Sequence, residues 1–200
     1  MDRQKLNIIA DGSIISLANT QRYNQTLKSQ LTWTWKQLNQ FLLDTNKDNL
    51  IVFHTSHENE YNFEFLFNEE TSETYFRKFE QSVEVTDGCL YLINWTDLTS
   101  SLQFTDLKLP LNSNKDLKID LENGFYKVII KQLFDPEDLA YSPNHKTNFA
   151  IEFFIQSKNP KLYADKINWA EDIPNDDTIF LSADKNEFDD LLDKMISEGR

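Results

Sequence analysis

Glycine and cysteine are both scarce in this chain: four glycines and a single cysteine, Cys89, in 200 residues. With so little glycine the sequence holds no G-x-G-x-x-G, no G-x-S-x-G and no phosphate-cradling glycine loop. That excludes the dinucleotide fingerprint, the nucleophile elbow and the P-loop. A lone cysteine excludes an internal disulfide framework and points to a reducing cytosol. Long apolar runs are missing too. The longest, such as Phe149–Ile155, are of strand length and are broken by Glu152, whereas a membrane helix needs about 20 apolar residues. Leu6–Ala10, behind a polar Met1–Lys5, is too short for the core of a secretion signal, so a cytoplasmic location is expected.

Positive charge is also in short supply. Twenty Lys and Arg face 33 Asp and Glu, for a net charge of −13. Such an excess repels phosphate backbones and anionic lipid, so neither a nucleic acid nor a membrane is an expected partner. It favours a basic protein instead. Abundant Asn, Lys, Ile and Phe fit a low-GC, bacterial genome.

What the chain does have is a core. Hydrophobic residues make up 40%, and 15 Phe, 7 Tyr and 4 Trp supply large rings. A chain of this length buries about 70% of its unfolded surface, so no cofactor or metal staple is needed for stability. A single globular domain over residues 1–200 is expected, since no composition shift marks a linker.

Three of the glycines sit in turn pairs, Asp11-Gly12, Asp87-Gly88 and Asn123-Gly124, each between apolar or alternating stretches. Such pairs suit the two-residue hairpin turn, which needs positive φ at both central residues. The pattern therefore predicts three antiparallel hairpins, with further strands at 50–54, 61–67, 149–156 and 178–181. Tyr61, Phe63, Phe65 and Phe67 alternate, as do Phe149, Ile151, Phe153 and Ile155, which reads as sheet core more readily than as an exposed stacking platform. Residues 31–35 alternate like a strand, yet Leu31, Trp35, Leu38 and Leu42 recur at helical spacing, and 36–43 reads as helix. Tyr75, Phe76 and Phe79 predict a helix over 71–81, capped by Thr71 or Ser72. At the C-terminal end, Asp184 and Glu187 form a capping-box pattern ahead of an apolar stripe of Phe188, Leu191, Leu192, Met195 and Ile196. The expected fold class is α+β, mainly antiparallel and hairpin-rich, sandwich-like, with two or three helices at its rim.

Two motifs resemble metal sites. Asp44, Asn46 and Asp48, with Ile51 following, match the early positions of a calcium loop. Asn49 stands where such a loop needs glycine, and Thr55 where it needs a bidentate glutamate, so a polar helix-to-strand turn fits better. His54, His57 and Glu58 are the only local group of imidazole and carboxylate, with Glu60 beside them and His145 a distant third imidazole. They could ligate a transition metal, or simply form a solvated connection between strands. Cys89 opens an apolar strand and reads as a packed thiol.

The charge is unevenly spread. Residues 165–200 hold eleven acidic and four basic residues, so −7 of the net −13 lies in the last 36 positions. Asp172, Asp176, Asp177, Asp184, Glu187, Asp189, Asp190 and Asp193 are the candidate partner-binding residues, because clustered carboxylates focus a field that speeds capture of a cation. Two classes of function follow. One is a non-catalytic, acidic cytosolic binding protein of the immunity or inhibitor type, facing a basic protein. The other is a metal-dependent enzyme or calcium-binding module centred on residues 44–60. An assembly subunit docking through its C-terminal helix is a third. No oligomeric state is legible.

Overall fold

The computed structural model describes residues 3–26, 48–104, 106–138, 146–164 and 166–170. Among these residues nine strands form two sheets. The first runs in the order β1 (Gln4–Ala10), β4 (Asn59–Phe67), β9 (Phe149–Gln156), β8 (Gly124–Gln132), β5 (Arg77–Val85). The second runs β3 (Leu50–His54), β2 (Ile14–Ala18), β6 (Cys89–Asn94), β7 (Lys118–Asp120). All pairings are antiparallel except β4 with β9. The α+β class and the mainly antiparallel sheet are as the sequence predicts.

Alternating side chains put one face of each sheet inward. Tyr61, Phe63 and Phe65 of β4 and Phe149, Ile151 and Phe153 of β9 meet Ile15, Leu17, Ile51, Phe53, Leu90 and Leu92 of the second sheet in one core. Phe149 sits at its centre, 4.9 Å from the Phe63 ring and 5.8 Å from that of Phe53 across the sandwich. A third layer explains why every residue of β2 is buried. Tyr23 of α1 (Thr20–Thr26) and Leu98 of α2 (Trp95–Gln103), with Leu109 and Ile167, cover the outer face of the second sheet against Ile14, Leu50, Val52 and Ile93.

The three expected hairpins are corrected by the pairing. The strands flanking each glycine pair exist, but β1 and β2, β5 and β6, and β7 and β8 belong to opposite sheets. Each glycine turn lifts the chain from one layer to the other. At the first, Asp11–Ser13 makes a single 3-10 turn with φ of +57° at Gly12 and +55° at Ser13. The Asp11 carboxylate accepts from Trp95 N at 2.9 Å and Thr96 N at 3.0 Å, tying the corner to the start of α2. Asn94 accepts from Asp97 N, so three otherwise orphaned amides of that helix are satisfied.

The predicted helix over 71–81 is also corrected. Phe79, Gln81, Val83 and Val85 alternate inward as β5, while Tyr75 and Phe76 remain exposed in the preceding segment. Pairing with β8 over nine residues outweighs the one-turn aromatic spacing that imitates a helix. α1 is short and polar apart from Tyr23, while α2 carries Trp95, Leu98 and Leu102 at i, i+3 and i+7, a short stripe within nine residues. The expected elements at 31–35, 36–43 and 178–181 and the C-terminal helix lie outside the described residues.

Candidate functional site

One end of the sandwich gathers most of the chemistry-bearing residues. There β3 ends at His54, and the loop to β4 turns through Ser56, whose φ is +76°. Thr55 Oγ1 donates to His57 O at 2.9 Å, and the buried Tyr61 hydroxyl donates to the same carbonyl at 3.0 Å. Burial, first of all, pushes the Tyr61 hydroxyl above its ordinary pKa, so it stays a donor. Arg77 braces the loop from below. Its Nη2 donates to Ser56 Oγ at 2.7 Å and His54 O at 3.3 Å, its Nε to Gln132 Oε1 at 2.9 Å. Its guanidinium lies 4.4 Å from the centre of the Trp169 ring, a cation–π contact within the packed end of the core.

The candidate metal residues are held by the backbone around them. His54 Nδ1 accepts from Ser56 N at 3.1 Å, His57 Nε2 lies 3.2 Å from Pro136 O, and Glu58 Oε1 accepts from Gly12 N at 2.8 Å. Among the described residues no three His, Cys, Asp or Glu side chains are grouped to hold a metal. His145 and residues 44–47 lie outside the described residues. Asp48, last of the calcium-like trio, accepts from Ser82 Oγ at 3.0 Å and Asn159 Nδ2 at 2.7 Å, joining β5 to the segment after β9. Cys89 is buried, and burial with the nearby Asp87 raises its thiol pKa, which suits a packed thiol.

The contact of His57 with Pro136 brings two acidic connections together. Glu58 and Glu60 on one side and Asp135 and Glu137 on the other are exposed. The ion pairs formed by the described residues engage Glu64, Glu69, Glu80, Glu84, Asp120 and Glu152, and none of these four. This end of the molecule therefore presents four exposed carboxylates that no ion pair among the described residues engages, with Arg77 turned instead onto Ser56 and His54 of the same loop. Sequence reasoning passed over Asp135 and Glu137, which stand in a stretch marked only by its polar, turn-rich composition.

The last described segment, around Asn168 and Trp169, lies here too. His54 N donates to Asn168 O at 2.9 Å and Asn168 N donates to Val52 O at 3.1 Å, while Trp169 packs on Phe53 and Phe79. All eight carboxylates proposed from the sequence, Asp172 to Asp193, lie beyond residue 170 and outside the described residues.

No protein-family model matches the chain, and no curated protein is similar to it in sequence. Two solved structures overlap it in fold. One is the crystal structure of ComJ, inhibitor of the DNA degrading activity of NucA, from Bacillus subtilis, with 14% identity and a TM-score of 0.46, over 76% of this chain and 96% of that one. The other is crocagin biosynthetic gene J, with 10% identity and a TM-score of 0.47, over 78% of this chain and 99% of that one. Likeness at this level transfers no residue roles.

Among the described residues no helix is long and apolar enough to cross a membrane.

Proposed function

We propose that this is a non-catalytic cytosolic binding protein, of the immunity or inhibitor type, that captures a basic protein partner through clustered carboxylates. The observation that carries the reading is the charge distribution: −7 of the net −13 lies in residues 165–200. The rim of Glu58, Glu60, Asp135 and Glu137 supports it, because it stands at the same end of the sandwich as Asn168, among the last described residues before the acidic stretch in sequence. Bringing negative charges together on a rigid frame raises the association rate for a cationic surface and costs no rearrangement on binding. The loop bearing Glu58 is held by Tyr61 and Arg77, which provides that frame.

The test is affinity capture with the intact chain and with a variant in which Asp172, Asp176, Asp177, Asp184, Glu187, Asp189, Asp190 and Asp193 become amides. A basic protein retained at low salt, released at raised salt and lost with the variant is the expected result. Retention of the same partners by both chains, or binding indifferent to ionic strength, overturns the proposal.

A further inference from the structure

The four edges of the two sheets are finished unequally. An outer strand exposes backbone N–H and C=O groups that template another strand unless something covers them. Along β5, Ser82 N donates to Leu162 O at 2.7 Å and Glu84 N to Asp48 O at 2.8 Å. Along β3, Asn168 bonds both His54 N and Val52 O. The third edge, β7, is three residues long. The fourth, β1, is seven residues long and bonds β4 on one side. Away from β4, the hydrogen bond that β1 makes among the described residues is that of a side chain, Gln4 Nε2 donating to Lys118 O at 2.6 Å. No backbone group from Lys5 to Ala10 hydrogen-bonds a described residue outside β4, and Ile9 is 62% exposed.

A cavity of about 440 Å³ flanks this edge on the outer face of the sheet, lined by Lys5, Asn7, Asn62, Lys146 and Thr147. Lys146 is exposed and makes no ion pair among the described residues, and Lys5 forms only a long ion pair, 3.9 Å, with Glu64. In a chain of net −13 this is a locally cationic pocket beside an open strand edge.

We propose that β1 is a docking edge for an extended segment of a partner protein that carries a carboxylate. The segment adds a sixth strand to the five-stranded sheet through main-chain bonds, the mode of β-strand addition. Side chains directly opposite across such a pair approach to about 5 Å. An acidic residue opposite Lys5 meets its ammonium and reaches over the cavity towards Lys146. Four residues along, on the same face, an apolar side chain covers Ile9. This edge abuts the acidic rim at Glu60, which stands opposite Ile9 on β4, but the proposal does not rest on the rim.

The probe is a labelled, end-blocked heptapeptide of threonines with one glutamate and, four positions away, one valine, prepared in both orders. Fluorescence anisotropy with the full chain is expected to show saturable binding of one of them. Replacing the glutamate by lysine, or making Lys5→Glu together with Lys146→Glu, is expected to weaken binding at least tenfold. N-methylating alternate peptide amides is expected to abolish binding in one phase and spare it in the other, since only one edge of the peptide faces β1. Both lysines are exposed, so their replacement leaves the core intact. The absence of binding, equal binding of the lysine peptide, or indifference to N-methylation in both phases overturns the proposal. So does a dimer by light scattering that Ile9→Lys converts to monomer, because the edge is then taken by a second copy.

Discussion

Lys131 Nζ lies 2.6 Å from Glu152 Oε1, and both side chains are buried on the face of the five-stranded sheet that points away from the sandwich core. The same oxygen accepts from Thr71 N at 2.8 Å, which draws the segment before β5 over the pair, and the Tyr75 ring stands 5.5 Å from the ammonium. Glu152 Oε2 has no hydrogen-bond partner in the described structure. A buried pair of this kind has its attraction offset by the cost of taking both charges out of water. Breaking one half is therefore worse than removing both. Lys131→Met is expected to cost about 3–5 kcal/mol, and the double variant Lys131→Met, Glu152→Leu to recover most of that loss. Urea denaturation of the single and double variants reads both values.

The corner at Gly12 is set by backbone and space together. Its φ is +57°, and a Cβ placed there would stand 3.1 Å from Trp95 Cδ1. Gly12→Ala is expected to destabilise by about 1–3 kcal/mol through left-handed strain and the displaced indole. Asp11→Ala removes the acceptor for two amides of α2 and is expected to cost about 1 kcal/mol. The two changes lie side by side, so their sum in the double variant is not expected to be additive. Thermal or urea unfolding of the three variants decides this.

Phe149 joins the layers. Its ring contacts those of Phe53, Tyr61, Phe63 and Phe134, with centroid distances of 4.9 to 5.8 Å. Phe149→Ala is expected to cost about 3–5 kcal/mol, and Phe149→Leu distinctly less, because the cavity left behind is smaller. Chemical denaturation midpoints at constant m-value check the ranking.

Alkaline pH acts on the Tyr61 hydroxyl. Burial raises its folded-state pKa above the ordinary value of about 10. A raised folded pKa means that this stabilisation is complete below pH about 10 and is lost as pH climbs through the folded value. Unfolding free energy is therefore expected to fall above pH about 10, and less steeply in Tyr61→Phe. Tyr91 and Tyr126 are shifted in the same direction by burial, so a residual slope remains in that variant. Absorbance titration of tyrosinate alongside denaturation curves separates the contributions.

The exposed rim admits a stability-neutral test. Glu60→Gln, Asp135→Asn and Glu137→Gln together are expected to change unfolding free energy by no more than about 0.5 kcal/mol, as surface changes do. The association rate with the captured basic partner is expected to drop, and its salt dependence to flatten. Stopped-flow mixing at several ionic strengths measures both.

Alternation and turn chemistry determined a good deal of this protein in one dimension. Leu50–His54 and Phe149–Gln156 are strands with the bounds that their β-branched and aromatic residues define, and the inward rings of β4 follow from a period of two. The scarcity of glycine and cysteine by itself excludes whole classes of chemistry. What a period of two cannot encode is the neighbour. Ile8 and Ala10 before Gly12, and Ile15 and Leu17 after it, are apolar whether they lie side by side in a hairpin or face each other across a core. Only the tertiary structure decided for the second arrangement, because there both faces bury their apolar side chains at once. The buried Glu152 was equally illegible, since its position in the alternation marks it as solvent-facing until Lys131 on β8 and Thr71 on another segment close over it. Likewise the rim exists only because the His57 loop meets Pro136, 79 residues along the chain. Contacts between distant segments carry that information, and local residue patterns do not.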